Sequence, residues 1–296
     1  HSMVNKSIER AQKKVEENNF GIRKRLLEYD DVMNQQREVI YKKRRYALFG
    51  DRLSVEISNM FFDTCDSIVS AYFDSKDFSN FELDLMKFLS IQAPIDEEGF
   101  KNIEKNELTD LVYKSCYENY KLKSEIIAQS TFPVIENVYK SHSGHYKNIV
   151  IPFSDGVKTM NVVTNLEEAY ESKGGNIQFS IEKSITLSII DDIWKEHLRE
   201  MDDLKQSVQN AVYEQKDPLL IYKFESFDLF KTMLDKINKE IISFLIKSNL
   251  PNQSNVQQEQ IHKQQNLQTS RPELAAPNKV NTPNTVQKTQ PIRVEQ

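Results

Sequence analysis

Hydrophobic residues recur three and four positions apart along residues 4–45, which is the spacing of one face of an α-helix. The segment contains no proline and one glycine, and charged residues fill its other faces densely. A single helix of this length extends about 60 Å, too long to bury its stripe on a small domain by itself. We therefore expect other elements to lie along it. The positions of the stripe are Ile8, Ala11, Val15, Asn19, Ile22, Leu26, Tyr29, Met33, Gln36 and Ile40.

The middle of the chain is less regular but still mostly helical in pattern. Helical spacing appears over 54–73 and 105–127, with a shorter candidate at 81–89. Two β-rich runs flank Asp155-Gly156 within 148–164, and this pattern predicts a β-hairpin in which Gly156 adopts a positive φ. Pro152 cannot donate to a central ladder, so we expect an edge position for it. Two strands are marginal alone, so the hairpin should pack on the helices.

Residues 176–249 return to strong helical periodicity, in two apolar seams joined by a short polar segment. Asp217 is suited to capping the second helix, and Pro218 to its first position. The pattern predicts an antiparallel helical hairpin about 45 Å long, with Tyr213 at its tip. The first seam is Leu187, Ile190, Trp194, His197, Met201, Leu204 and Val208; the second is Leu220, Phe224, Phe227, Leu234, Ile237 and Ile241.

The composition limits what the chain does. Its 296 residues carry a net charge of -5, and this acidic balance argues against a dedicated nucleic-acid binder. No apolar run reaches the length of a membrane span. From Pro251 onward the chain is rich in Gln, Asn, Pro, Ser and Thr without an aromatic residue, which predicts disorder. Residues 1–3 look like the remnant of a cloning tag, so the chain is expected to be a fragment.

The chemistry-bearing residues give little sign of catalysis. Seven scattered glycines form neither a phosphate loop followed by Lys-Ser or Lys-Thr nor GxGxxG, so we expect no nucleotide site of either common kind. Cys65 and Cys116 lack a CxxC partner and are expected to be small buried residues. His197 falls on an apolar seam without a second ligand at metal spacing, which favours a hydrogen-bonded core histidine. Residues 42–45 are basic and suit either an anionic surface or the helix C-terminus, the latter being preferred.

Two segments carry a resemblance to a known family. The first runs from Val15 through NNFGIRK (18–24) to LLEYDDVMN (26–34) and Gln36-Arg37. The second contains IWKEHL (193–198) with Met201-Asp202, then YEQKDP (213–218) and YKFESF (222–227). Both resemble the C-terminal region of the SecA preprotein translocase ATPase, in the right order. The match is good over 4–45 and 178–250 and weak over 46–175, where the hairpin looks like an insertion.

The resemblance implies an all-α, elongated fold divided into named parts. These are the long helix of the helical scaffold domain (4–47), a helical wing domain with the small β-hairpin insertion near 148–164 (48–177), a two-helix finger (178–250) and a C-terminal linker (251–296). The ATPase motor domains would lie upstream of this chain. ATP and magnesium would belong to those domains, and zinc to a cysteine-rich C-terminal motif that this sequence does not contain.

The resemblance also implies contacts and partners. The long helix would pack against the chain's own motor domains, and Arg23 or Arg37 is suited to bidentate pairing with motor carboxylates. From the residues alone, a solvated charged face with i,i+4 pairs is the alternative. The candidate motor contacts are Asn19, Phe20, Arg23, Lys24, Asp30, Asp31, Asn34 and Arg37.

The finger tip would contact the preprotein at the mouth of a SecY-type channel. Tyr213 aligns with the tip aromatic of the family, and a tyrosine provides a sequence-tolerant contact because its ring is large and its hydroxyl bonds backbone. The alternative is that Tyr213 only closes the hairpin seam. Many members have an arginine where this chain has Ala211, so basic charge at the tip would come from Lys216. The candidate tip contacts are Val212, Tyr213, Gln215 and Lys216.

The function implied is that of the scaffold, regulatory and polypeptide-contacting part of an ATP-driven translocase that moves preproteins through the channel. The intact protein would be an enzyme, whereas this part alone would not. It would work in the bacterial cytoplasm and peripherally at the cytoplasmic face of the inner membrane, with a homodimer left open and no nucleic-acid partner. A stand-alone helical adaptor without a link to an ATPase is the alternative.

Overall fold

The computed structural model of the chain describes residues 2–50, 52–142, 147–210 and 217–250. These form helices α1 (Ser2–Phe49), α2 (Leu53–Phe73), α3 (Phe78–Asp84), α4 (Glu97–Asn102), α5 (Lys105–His142), α6 (Leu166–Glu171), α7 (Gly175–Ser207) and α8 (Pro218–Lys247), a π-helical turn (Leu85–Leu89), and strands β1 (Asn148–Ser154) and β2 (Thr159–Asn165). The predicted all-α fold with one small hairpin is confirmed.

The long helix forms as predicted but is buried over only part of its length. α1 is a continuous helix of 48 residues. Its buried residues all lie in the second half: Tyr29, Gln36, Ile40 and Ala47. Gly50 ends the helix at φ 79° and lies so close to the Phe179 ring of α7 that a Cβ atom would clash with it. The C-terminal half of α1 is therefore fixed against the rest of the fold.

The helical hairpin predicted over 176–249 is also confirmed. Glu196 on α7 faces Lys236 on α8 at 3.1 Å, whereas Leu204 clusters with Tyr222 near the other end, so the two helices run antiparallel. Asp217 accepts a hydrogen bond from the backbone N–H of Leu219 at 3.0 Å, as expected for the cap of α8. The pair does not stand free, because α1 and α2 pack along it.

The predicted apolar seam of α8 is wrong at its N-terminal end. Leu220, Phe224 and Phe227 are exposed, and the side chains that α8 buries there are Tyr222 and Ser226. The reason is that α8 contacts two helices at once, since Tyr222 packs on Tyr29 of α1 as well as on α7. Contact with both α1 and α7 therefore buries a different face of α8 from the one that apolar spacing alone indicates.

The middle of the chain packs α2 against α5 and against the hairpin of α7 and α8. Cys65 and Cys116 are buried free thiols in this core, as predicted from the sequence. α5 extends past the predicted end at 127 and continues through Pro133, because contacts made beyond that point stabilise it. Ile135 is buried, and Tyr139 stacks on Tyr170 of α6 at 4.2 Å.

The β-hairpin has the predicted turn, with Gly156 at φ 92°. Leu166 donates to the carbonyl of Lys147 across the β1–β2 ladder, so odd-numbered β1 residues bond towards β2. Ser154 exchanges two hydrogen bonds with Asn249, at 3.0 and 2.8 Å, on the other edge. The backbone of Pro152 faces that outer edge, so its missing N–H removes no hydrogen bond between β1 and β2. The predicted edge position is confirmed.

The division into scaffold, wing and finger stays a prediction, and described residues of all three parts share one hydrophobic core. One cluster of buried residues includes Ile40 of α1, Phe61 of α2, Phe153 of β1 and Ile190 of α7. The linker predicted over 251–296 lies outside the described residues. Of the predicted tag remnant, Ser2 and Met3 belong to α1.

Candidate functional site

The first half of α1 presents an exposed apolar stripe, which at Ile22 and Leu26 lines a groove of about 800 Å³ with the adjoining ends of α7 and α8. Its helical periodicity is that of a core-facing helix, but Ile22 is 52% exposed whereas Ile40, further along the same stripe, is 1% exposed. The exposed large apolar residues of this half are Met3, Val4, Ile8, Val15, Phe20, Ile22, Leu26 and Leu27. An exposed apolar surface of this extent indicates an interaction site.

Four of the predicted motor contacts lie on this uncovered half. At about 100° of helical rotation per residue, Asn19 lies within the stripe and Arg23 beside it, whereas Phe20 and Lys24 point away from it. Asn19 and Arg23 share this face of α1 with Ile8 and Val15. The structure therefore brings two of these four residues together with the apolar stripe.

The other four predicted contacts lie on exposed positions of the packed half of α1. Arg37 donates to the side chain of Asn34 at 3.1 Å, which is a local contact within the helix. Asp30 lies 3.9 Å from the ammonium of Lys205 on α7. Asp31 lines a groove between α1 and α8. These residues do not form one cluster, and three of them already have neighbours within the chain.

The groove beside Asp31 has a volume of about 620 Å³ and combines apolar surface with charged residues of both signs, Glu28, Asp31 and Lys223. Val32 and Val39 of α1 and Phe227 of α8 supply apolar surface, and Phe227 is 66% exposed. Apolar spacing placed Phe227 in the seam between α7 and α8, so the sequence pattern did not indicate this groove. The spacing of Phe224 and Phe227 from Tyr222 was the available signal, since a helix cannot bury all three on one face.

A buried polar cluster joins the packed half of α1 to both hairpin helices. The Gln36 amide donates to the backbone carbonyl of Ser226 on α8 at 3.0 Å, and its oxygen lies 2.9 Å from Nε2 of His197 on α7. His197 is 1% exposed and lies between the rings of Trp194 and Phe230. Burial lowers the pKa of His197 to about 4. The predicted hydrogen-bonded core histidine is confirmed.

The basic run 42–45 is largely engaged within the chain. Arg44 makes a bidentate pair with Asp191 of α7, at 2.8 and 3.1 Å, and this contact raises the pKa of Arg44. Lys43 lies 3.4 Å from Glu56 of α2. These contacts tie the end of α1 to its neighbours, and they support the helix-end interpretation rather than an anionic surface.

The predicted tip contacts Val212, Tyr213, Gln215 and Lys216 all lie outside the described residues. The residues on either side of this gap are described. Val208 is buried beside Tyr222, and Asp217 caps α8.

Within the described ranges, no three His, Cys, Asp or Glu side chains are arranged to hold a metal ion. Both cysteines lie in the core, so the residues present do not fit a zinc site. No helix in the part of the chain that the structure describes is long and apolar enough to cross a membrane.

Taken together, the fold and the surface define a helical scaffold: a long helix fixed at one end to a two-helix hairpin, with an uncovered apolar stripe at the other. The sequence profile described as "SecA Wing and Scaffold domain" matches residues 1–249. The chain belongs to this family. The match includes the middle of the chain, where the resemblance by motifs was weak.

Several relatives are named protein translocase subunit SecA. The one from Flavobacterium psychrophilum is 56% identical over 276 residues, covering 93% of this chain and 25% of the relative. The one from Christiangramia forsetii is 57% identical over 251 residues, which cover 85% of this chain and 22% of the relative. The one from Porphyromonas gingivalis is 48% identical over 251 residues, which cover 85% of this chain and 23% of the relative. The chain thus spans about a quarter of the length of these relatives.

Proposed function

We propose that this chain is the C-terminal scaffold, wing and finger part of an ATP-driven protein translocase that moves preproteins through a SecY-type channel. The observation that carries the proposal is the uncovered stripe of α1, which continues a core-facing pattern past the end of the chain's own core. The family and its translocase relatives support this assignment. The alternative of an adaptor without an ATPase has no observation in its favour.

The motor domains of the intact protein are the proposed cover of the stripe. Ile22 and Leu26 supply apolar area, and burial of such side chains contributes about 1.5–3 kcal/mol each. Asn19 and Arg23 lie along the edge of that area, where an arginine pairs with a carboxylate in two hydrogen bonds. The groove with Asp31 and Phe227 is the proposed second contact. Phe20, Lys24, Asp30, Asn34 and Arg37 remain candidates with weaker geometric support.

α1 is one uninterrupted helix, so a displacement of its motor-bound half is transmitted to the half that packs on α7 and α8. In this proposal the finger moves with the motor, and Tyr213 with its neighbours contacts the preprotein and the channel. ATP and magnesium would bind in the upstream domains, because the sequence of this chain does not fit a phosphate site. A peripheral position at the membrane follows from binding the channel, and a homodimer is the remaining partner proposed.

The first experiment uses the chain with a version of the intact protein that ends before α1. We expect the pure chain to hydrolyse no ATP and to change the basal hydrolysis rate of the truncated motor on mixing. Ile22→Ser in the stripe should abolish this effect, whereas Glu17→Ser on the opposite face of α1 should preserve it. Nucleotide turnover by the pure chain, or equal effects of the two variants, would contradict the proposal.

A second experiment addresses the tip. Tyr213→Ala in the intact protein should leave helicity unchanged and lower the rate of preprotein transport, because the ring is the proposed contact. Site-specific cross-linking from position 213 should capture a stalled preprotein or the channel. Unchanged transport together with the absence of both cross-links would remove Tyr213 from this role.

A further inference from the structure

Gln36 is the one polar side chain of α1 that the structure buries, among the residues described. It is 6% exposed and contacts both helices of the hairpin through its two amide ends. Its neighbours in the stripe, Met33 and Ile40, are apolar. A buried amide is favourable only in an arrangement that satisfies its donor and its acceptor together. The contact therefore specifies one register of α1 against α7 and α8.

The direction of each hydrogen bond follows from the chemistry of the partners. The backbone carbonyl of Ser226 only accepts, so the NH₂ end of the Gln36 amide must face it. The amide oxygen then faces His197, and it also only accepts, so Nε2 of His197 must carry the proton. Because His197 is neutral at physiological pH, its Nδ1 atom is left as an unprotonated acceptor.

The Nδ1 atom is buried and has no hydrogen-bond partner among the described residues. It lies 3.9 Å from a carboxylate oxygen of Glu200, an acceptor that cannot satisfy it. Both residues line a solvent-open cleft of about 100 Å³, together with Glu196, Thr232 and Lys236.

We propose that Gln36 is a register pin: its amide fixes α1 to both hairpin helices and holds His197 as the Nε2–H tautomer. His197 and Gln36 are positioning residues in this arrangement. A slide or rotation of α1 breaks both amide contacts at once and leaves two buried polar groups unpaired. The pin thus makes α1 and the hairpin move as one body.

The tautomer is measured on the complete chain by nitrogen NMR of the imidazole. We expect a neutral ring protonated at Nε2 at pH 7. In Gln36→Glu an acceptor remains, so the Nε2–H tautomer should persist and the pKa of His197 should rise beside the new carboxylate. In Gln36→Leu the acceptor is lost, and we expect the proton to move to Nδ1, where Glu200 is the nearest acceptor. Gln35→Leu on the exposed face is the matched control and should leave the signal unchanged.

The proposed role of Gln36 would be wrong if the wild-type imidazole were protonated at Nδ1. It would also be wrong if the imidazole nitrogen signals of Gln36→Leu matched those of the wild type. These outcomes do not depend on the translocase assignment. The wild-type measurement also stands if Gln36→Leu fails to fold.

The mechanical part of the inference rests on the proposed function and is tested in the intact protein. Gln36→Leu should reduce the ratio of preprotein-stimulated to basal ATP hydrolysis at least about fivefold, the lower end of typical coupling between sites. Glu38→Gln, at an exposed position of α1 that lines neither proposed contact, is the control and should leave this ratio unchanged. A normal ratio in Gln36→Leu, with the tautomer shifted as expected, would refute transmission through the pin while leaving the translocase assignment intact.

Discussion

The two halves of α1 carry the same amphipathic repeat and have opposite surroundings. Ile40 in the second half is buried against α7, whereas Ile22 in the first half is half exposed. The second half also makes cross-element polar contacts, from Gln36 to Ser226 and from Arg44 to Asp191. The first half makes none with other described elements. The same pattern is thus part of the core in one half and exposed in the other.

The difference shows that amphipathic spacing indicates which face of a helix is suited to burial. It does not indicate which element buries that face. A stripe costs solvation free energy when it remains exposed, because apolar area stays in water. Its continuation over the first half is explained if a partner outside this chain covers it. The sharpest tests therefore change matched residues in the two halves.

The largest expected difference is between Ile40→Ala and Ile22→Ala in this chain. Ile40→Ala should lower the free energy of unfolding by ~2–5 kcal/mol, because it leaves a cavity in the core. Ile22→Ala should change it by less than ~0.5 kcal/mol, because the side chain makes no core contact. Denaturant unfolding measures both.

In the intact translocase the contrast should shrink, since the motor is proposed to cover Ile22. Association of the motor part with the Ile22→Ala chain should weaken measurably in a titration. Equal losses of stability for the two variants in this chain alone would mean that the first half of α1 is already covered.

A pH titration of stability is the second test, and it applies only to the packed half. The pKa of His197 is about 4 in the folded state and about 6.5 in the unfolded state, so the unfolded state takes up the proton first. Stability from this group is complete above pH 6.5 and should fall by up to ~3 kcal/mol as the pH drops towards 4. His197→Gln should lack this component.

The comparison with His197→Gln is needed because buried acids act in the opposite sense. Burial raises the pKa of Asp63 and of Glu182, so each of these favours the folded state at low pH and loses that contribution as the pH rises. The difference between wild type and His197→Gln isolates the histidine. A flat difference across pH 4–7 would show that His197 is accessible to protons in the folded state.

The smallest expected effect concerns the ion pair at the end of the packed half. A double-mutant cycle on Arg44→Ala and Asp191→Ala should give a coupling of ~0.2–1 kcal/mol, because both side chains are partly exposed and water screens them. The i,i+4 pair of Lys101 and Glu97 is a control within one helix and should couple by ~0.3–0.5 kcal/mol. A coupling well above the predicted range would mean that water screens the Arg44–Asp191 pair less than its exposure indicates.

The sequence predicted the elements better than it predicted their faces. The continuous α1, the Asp217 cap and the turn at Gly156 followed from local rules, because helix period, capping and positive φ are properties of a few adjacent residues. The exposed Phe227 and the helical passage through Pro133 were not predicted. Both depend on contacts with residues far away in the chain, and apolar spacing carries no information about which neighbour arrives.

The candidate site divides in the same way. Motif resemblance identified Asn19 and Arg23, and the structure places them beside the uncovered stripe. The resemblance gave no reason to single out Gln36, whose role depends on the simultaneous presence of His197 and Ser226. The tip residues around Tyr213 stay a prediction.

By itself the sequence determined that this chain is mostly helical, where its long helices lie, and that it carries no common nucleotide motif. These features are set by short-range sterics, hydrogen bonding and periodicity. Only the tertiary structure decided that the stripe of α1 is buried in one half and open in the other, and that one amide joins three helices. Burial is a property of the assembled surfaces, since a side chain loses its water only when another element arrives to replace it.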